Sequence, residues 1–97
     1  MKPLILIDEA EADVSEAYAF HLPRRVGLED RFLTAIRETL LRIQENPAEF
    51  ALANQTLRFA RVFGFPHSVH YRDDADAIVV VAVFHGRRHP SIWKARR

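Results

Sequence analysis

The chain has 97 residues, no cysteine, 48% hydrophobic and 28% charged residues, and a formal net charge of +1. That size supports one hydrophobic core and one domain, residues 1–97, and the apolar fraction excludes disorder as the main state. Thiolate chemistry and disulfides are excluded, and the short apolar stretch in MKPLILIDEAEAD is neither a signal peptide nor a span of about 20 apolar residues, so a soluble, cytoplasmic protein with no membrane partner is expected.

In chain order, Pro3–Ile7 (PLILI) is a β-favouring run and reads as a first strand. Asp8, followed three residues later by Glu11, has the spacing of a capping box and predicts a helix start. Val14, Tyr18 and Leu22 then recur at every fourth position, with Ala10 and Ala17 beside them, until Leu22-Pro23 breaks the ladder. A second helix follows from the period of about 3.6 through Leu28, Phe32, Ile36, Leu40 and Ile43, with Ala35 on the same flank. Gly27 weakens its start and Asn46-Pro47 supplies its stop.

Beyond the helices the period changes to two. Leu57 and Phe59 alternate with Arg58 and Ala60, and Val69 and Tyr71 alternate with Ser68, His70 and Arg72. Asp73–Asp76 (DDAD) forms a hairpin turn, and Ile78–Phe84 (IVVVAVF) has no polar member, as expected of a central strand buried on both faces. The resulting β-α-α-β-β-β order is an α+β domain, with a helical hairpin packed on one face of a mainly antiparallel sheet. Phe50, Phe63 and Phe65 are expected to pack in the core or at hinges. If Leu57, Phe59, Val69 and Tyr71 face the helices, Arg58, His70 and Arg72 point the other way, while Arg61 falls on the apolar parity.

Charge is distributed unevenly. Residues 1–50 carry 10 acidic and 6 basic side chains, whereas residues 51–97 carry 3 acidic and 8 basic ones. Four of the five histidines, His67, His70, His85 and His89, also lie in the second half. Such clustering suits a polyanion or an acidic partner. Serine hydrolase and phosphate-loop signatures are absent, and no cofactor is implied. His67 and His70 are three apart in a strand and point to opposite faces, so they do not share a metal, and no metal site is expected.

Two readings of the basic cluster stay open on the residues alone. Arg58, Arg61, Arg87 or Arg88 can hold a phosphate while His70 or His85 transfers protons, which is the chemistry of RNA cleavage by the 2′-hydroxyl. Alternatively, an exposed basic rim docks an acidic protein and performs no chemistry. Trp93 is either an interface anchor or a lid folded back on the core.

The chain resembles the RelE/ParE superfamily of small bacterial toxins of type II toxin–antitoxin systems. The resemblance is carried by A-x-x-D-V-x-E-A-x-x-F from Ala10 to Phe20, L-x-x-I-x-x-N-P from Leu40 to Pro47, and R-x-x-R at Arg58 and Arg61. It continues through FPHSVHYR, Phe65–Arg72, and V-V-A-V-F-H-G-R-R-x-P-x-x-W, Val80 to Trp93. It implies either a ParE-like poison of DNA gyrase, which is not an enzyme, or a RelE-like nuclease that cuts messenger RNA in the ribosome. The FPHSVHY and HGRRxPxxW pieces look more ParE-like, and the lysine-rich loop and C-terminal tyrosine of several ribonucleases are missing, since residues 51–60 contain no lysine. The ParE-like branch is therefore favoured.

The gyrase reading implies target contacts through Arg58, Arg61, Arg72, Arg87, Arg88, Trp93 and Arg96. The nuclease reading implies catalysis by Arg58, Arg61, His70, His85 and Arg88. A third reading is a binding module of the same fold without toxicity. In each case the partner implied is a cognate antitoxin, in a hetero-oligomer, received by the helical hairpin at Val14, Tyr18, Phe32 and Ile36.

Overall fold

The computed structural model describes residues 1–21 and 26–85. It contains β1 (Leu4–Leu6), α1 (Asp8–His21), α2 (Leu28–Glu45), β2 (Arg58–Arg61), β3 (His67–Asp73) and β4 (Ile78–His85). The strands form one sheet in the order β1-β4-β3-β2. β1 runs parallel to β4, with Leu4 opposite Ile78 and Leu6 opposite Val80, while β4, β3 and β2 are antiparallel neighbours. The class is α+β, with a mixed four-stranded sheet.

β4 is the central strand because nearly every side chain along it is apolar and can be buried on either face. Ile78, Val80 and Val83 join the cluster that contains Ala10, Phe32, Ile36 and Ile43 of the helices. Val81, Ala82 and Phe84 enter a second cluster with Leu57. The two sets stay sorted because of a bulge: His70 pairs with Ala82 but Tyr71 pairs with Val80, which leaves Val81 as an extra residue in β4. The ladder is disturbed there, and Asp13 of α1 accepts a hydrogen bond from the Val83 amide at 3.0 Å. A helix carboxylate thus ties α1 to the strand just beyond its irregularity.

α2 buries Phe32, Ile36, Thr39 and Ile43, a stripe at helical spacing. Each fully buried apolar side chain contributes roughly 1.5–3 kcal/mol. Leu28 and Leu40, expected in that stripe, are only half-buried. Thr39 occupies the core instead, its hydroxyl satisfied by donating to the Ala35 carbonyl at 2.7 Å. Gly27 caps the start of α2 with φ 81°, a left-handed conformation open to glycine at little cost. Asn46 ends the helix as the sequence predicts.

Two local expectations are corrected. Asp8 is not the cap of α1: it lies within the first turn, and the Ile7 carbonyl receives the Glu11 amide at 3.1 Å. Asp8, Glu9 and Glu11 act instead through their negative charge beside the exposed amides of the helix start. Phe63 is not core or hinge packing, since it stands 87% exposed in the turn between β2 and β3. The predicted break at Leu22-Pro23 lies outside the described residues.

Removing the Asp13 carboxylate leaves the buried Val83 amide without this acceptor. Asp13→Ala should lower stability by about 1–3 kcal/mol, with Asp13→Asn recovering much of the loss. Urea denaturation of the three proteins checks it, and equal midpoints for wild type and Asp13→Ala would remove the bond from the account.

Candidate functional site

On the sheet face away from the helices, strand register aligns Phe59 with His70 and Ala82, and Arg61 with Ser68 and Phe84. His70 is only 7% exposed. Its ring stacks on Phe59 at 5.9 Å and 24°, with Phe84 at 6.4 Å. Burial lowers its pKa from 6.5 to about 4, and a backbone hydrogen bond at Ser68 opposes this only in part. At neutral pH His70 is therefore an uncharged aromatic plate, poorly matched to proton transfer. Arg61 is exposed on the same face, and its carbonyl accepts a hydrogen bond from Arg42 at 3.1 Å.

Arg72 also lies on this face, opposite Val79. Its Nε donates to both carboxylate oxygens of Asp74, at 2.8 and 2.9 Å. The hydrogen bond raises the Arg72 pKa further and holds the Asp74 carboxyl below the usual range. Lys2 completes this cluster by bonding the Asp73 carboxylate and the Asp74 carbonyl. Arg72 therefore holds the β3–β4 turn through an internal partner.

Arg58 does not point away from the helices as the sequence parity suggests. It is in register with Tyr71, whose side chain is in the helix-side cluster, and its Nη1 donates to the Phe50 carbonyl at 2.6 Å. Burial pushes the Tyr71 phenol up to about 12 despite the nearby Arg58 charge, and the Tyr71 hydroxyl donates to the Pro47 carbonyl. Together Arg58 and Tyr71 secure the segment between α2 and β2. The parity fails because Leu57 belongs to the second cluster and Ala60 is the β2 residue beneath the helices. With apolar residues on both faces, alternation in β2 loses its meaning as a guide to direction.

His85, exposed at the end of β4, is in register with His67, and their rings are 5.6 Å apart. His67 is buried against Phe32 at 4.9 Å and Phe65 at 6.5 Å, on the helix side. His85 and His70 thus sit on opposite faces of the sheet. Arg61 and His70 share one face, while Arg58 and His85 share the other. Among the described residues, no three His, Asp or Glu side chains converge as a metal site requires. Arg87, Arg88, Trp93 and Arg96 lie outside the described residues. The packing role of His67 was legible in its spacing of two from Val69.

Between the helices lies a groove of about 270 Å³, lined by Leu6, Glu11, Val14, Leu33, Ile36, Arg37 and Leu40. Of the four hairpin positions picked from sequence, Val14 lines it and Ile36 forms part of its floor. Tyr18 is half-buried and not part of this lining, and Phe32 is completely buried, out of a partner's reach. The helical period placed Phe32 correctly on the apolar stripe, but that stripe faces the sheet. Leu33 and Leu40, one flank over, supply the apolar wall, and Glu11 and Arg37 supply charge at the rim.

A helical hairpin on a mixed sheet of this order, with basic side chains at its edge, defines a known class of small α+β domain. Residues 4–90 match the family described as "ParE toxin of type II toxin-antitoxin system, parDE". The chain belongs to that family, whose members are the toxin halves of toxin–antitoxin pairs. A solved structure titled "Chromosomal ParDE TA system from P. aeruginosa" has the same fold, with a TM-score of 0.76 at 18% identity over 88% of this chain and 96% of that one. No curated protein matches the chain.

The low His70 pKa fixes a pH dependence. The unfolded chain takes up a proton near pH 6.5 that the folded chain refuses until about pH 4. This contribution to stability is complete above the unfolded value and is lost as pH falls from 6.5 towards 4. His70→Phe, which keeps a ring against Phe59, should flatten the fall in melting temperature across that window. An unchanged slope would assign the acid sensitivity to other groups.

Proposed function

We propose that the protein arrests growth by binding and poisoning DNA gyrase, and that a cognate antitoxin neutralises it by laying an amphipathic segment in the groove between α1 and α2. One observation favours binding over RNA cleavage: among the described residues, the histidines available for acid–base chemistry, His70 and His85, lie on opposite faces of the sheet. His70 is buried and neutral, Arg72 is held by Asp74, and Arg58 is held by the Phe50 carbonyl. A ribonuclease needs an acid, a base and a cationic phosphate clamp around one phosphate. Exposed Arg61 and the basic residues 87, 88 and 96 suit recognition of an acidic surface instead.

The antitoxin reading rests on the shape and composition of the groove. Leu33, Leu40 and Val14 provide an apolar surface for the anchors of a helix, and Glu11 and Arg37 fix its register through charge. A segment that orders on binding covers more area than a rigid partner of equal length, at a cost in chain entropy.

Purified protein should inhibit supercoiling by gyrase at stoichiometric amounts and leave translated messenger RNA intact. The opposite pair of results, unchanged topology and cut message, would replace this reading with the nuclease one. Leu33→Asp should weaken capture of the antitoxin by tenfold or more, about 1.4 kcal/mol, without abolishing inhibition of gyrase. Titration calorimetry with the antitoxin measures that loss.

A further inference from the structure

A second groove, of about 610 Å³, runs between the opposite flank of α2 and the β2–β3 turn. Leu28, Ala35, Phe63 and Phe65 give it an apolar lining, with Asp30, Arg31, Thr34 and Glu38 along the helix. Phe63 projects at its edge, 87% exposed, and Leu41, 52% exposed, lies one turn beyond Glu38. Gly64, at φ 85°, allows the tight turn that presents Phe63 outward. An exposed aromatic beside an apolar groove is a knob next to a hole.

The charges along this flank are self-complementary. Arg31 and Glu38 are seven residues apart, two helical turns, so they lie on one line along α2. Thr34 and Ala35, both small, occupy the middle of that interval and permit close approach of another helix. Neither Arg31 nor Glu38 belongs to an ion pair among the described residues. If a second α2 packs antiparallel about a two-fold axis at Thr34–Ala35, each Arg31 meets the Glu38 of the other copy. A two-fold interface needs such a patch, in which residue i meets j and j meets i. An arbitrary partner would need no such symmetry.

We propose that this groove is a homodimer interface, in which two copies of the chain pair through α2 with reciprocal Arg31–Glu38 contacts and Phe63 packs against the neighbouring copy. The occupied flank is distinct from the Val14–Leu33–Leu40 groove, so a dimer leaves the α1–α2 groove open on both copies.

Sedimentation velocity of the purified protein, from micromolar to near-millimolar concentration, tests it. Wild type should show a reversible monomer–dimer equilibrium. Glu38→Arg places like charges opposite each other twice and should weaken association by about tenfold or more, while the double swap Arg31→Glu with Glu38→Arg should restore it. Circular dichroism melts of each variant separate loss of pairing from loss of fold. A wild type that stays monomeric throughout overturns the proposal, as does a dimer that Glu38→Arg leaves intact. Hydrogen exchange showing residues 28–38 covered by the antitoxin on a monomeric toxin would assign the groove to that partner instead and also overturn it.

Discussion

The structure depends on one strand having to be apolar on both sides. β4 lies between β1 and β3, under the helices on one face and beneath Leu57 on the other, so it has no solvent side to give to polar residues. A strand in that position satisfies its backbone through two neighbours and its side chains through two cores. The bulge at Val81 is where these requirements meet, because β1 has ended by then and α1 has taken over that edge. Asp13 supplies the acceptor there. Helix packing, sheet register and the direction of every side chain near the candidate sites follow from how β4 is held.

This constraint also explains what the sequence revealed and what it concealed. The elements themselves were plain: a heptad-like stripe in α2, an unbroken apolar run in β4, and proline or glycine near the element ends. The direction of side chains was less accessible. Alternation tells inside from outside only when one face is wet, and here Leu57, Val81, Ala82 and Phe84 make the second face dry. Arg58 was accordingly assigned to the wrong face. The Val81 bulge shifts the register of everything beyond it, yet leaves no mark in a row of valines. Phe63 looked like core by composition, and only the left-handed Gly64 beside it shows why it faces outward.

The candidate sites divide along the same line. Positions defined by a helical period alone were reliable as to stripe but not as to depth: Phe32 and Ile36 are on the apolar side, yet Phe32 is sealed inside while Leu33 and Leu40 form the accessible wall. The basic residues were recognised as a class, but their internal partners were not visible. Arg72 with Asp74 could be guessed from proximity in a turn, whereas Arg58 with the Phe50 carbonyl depends on how the 46–57 segment returns to β2. A cation's availability to a target is decided by such contacts as much as by its charge.

The parallel pairing of β1 with β4 has a consequence for the birth of the protein. As the chain is synthesised, β1 must wait for β4, about 74 residues later in register, before it has a neighbour. Contacts of such long range come late and slowly. A nascent chain ending before Ile78 lacks the middle of its own sheet, and neither core can close. Closure of the fold thus comes all at once, with the arrival of β4, and a chain interrupted before that strand has no sheet on which its helices can pack.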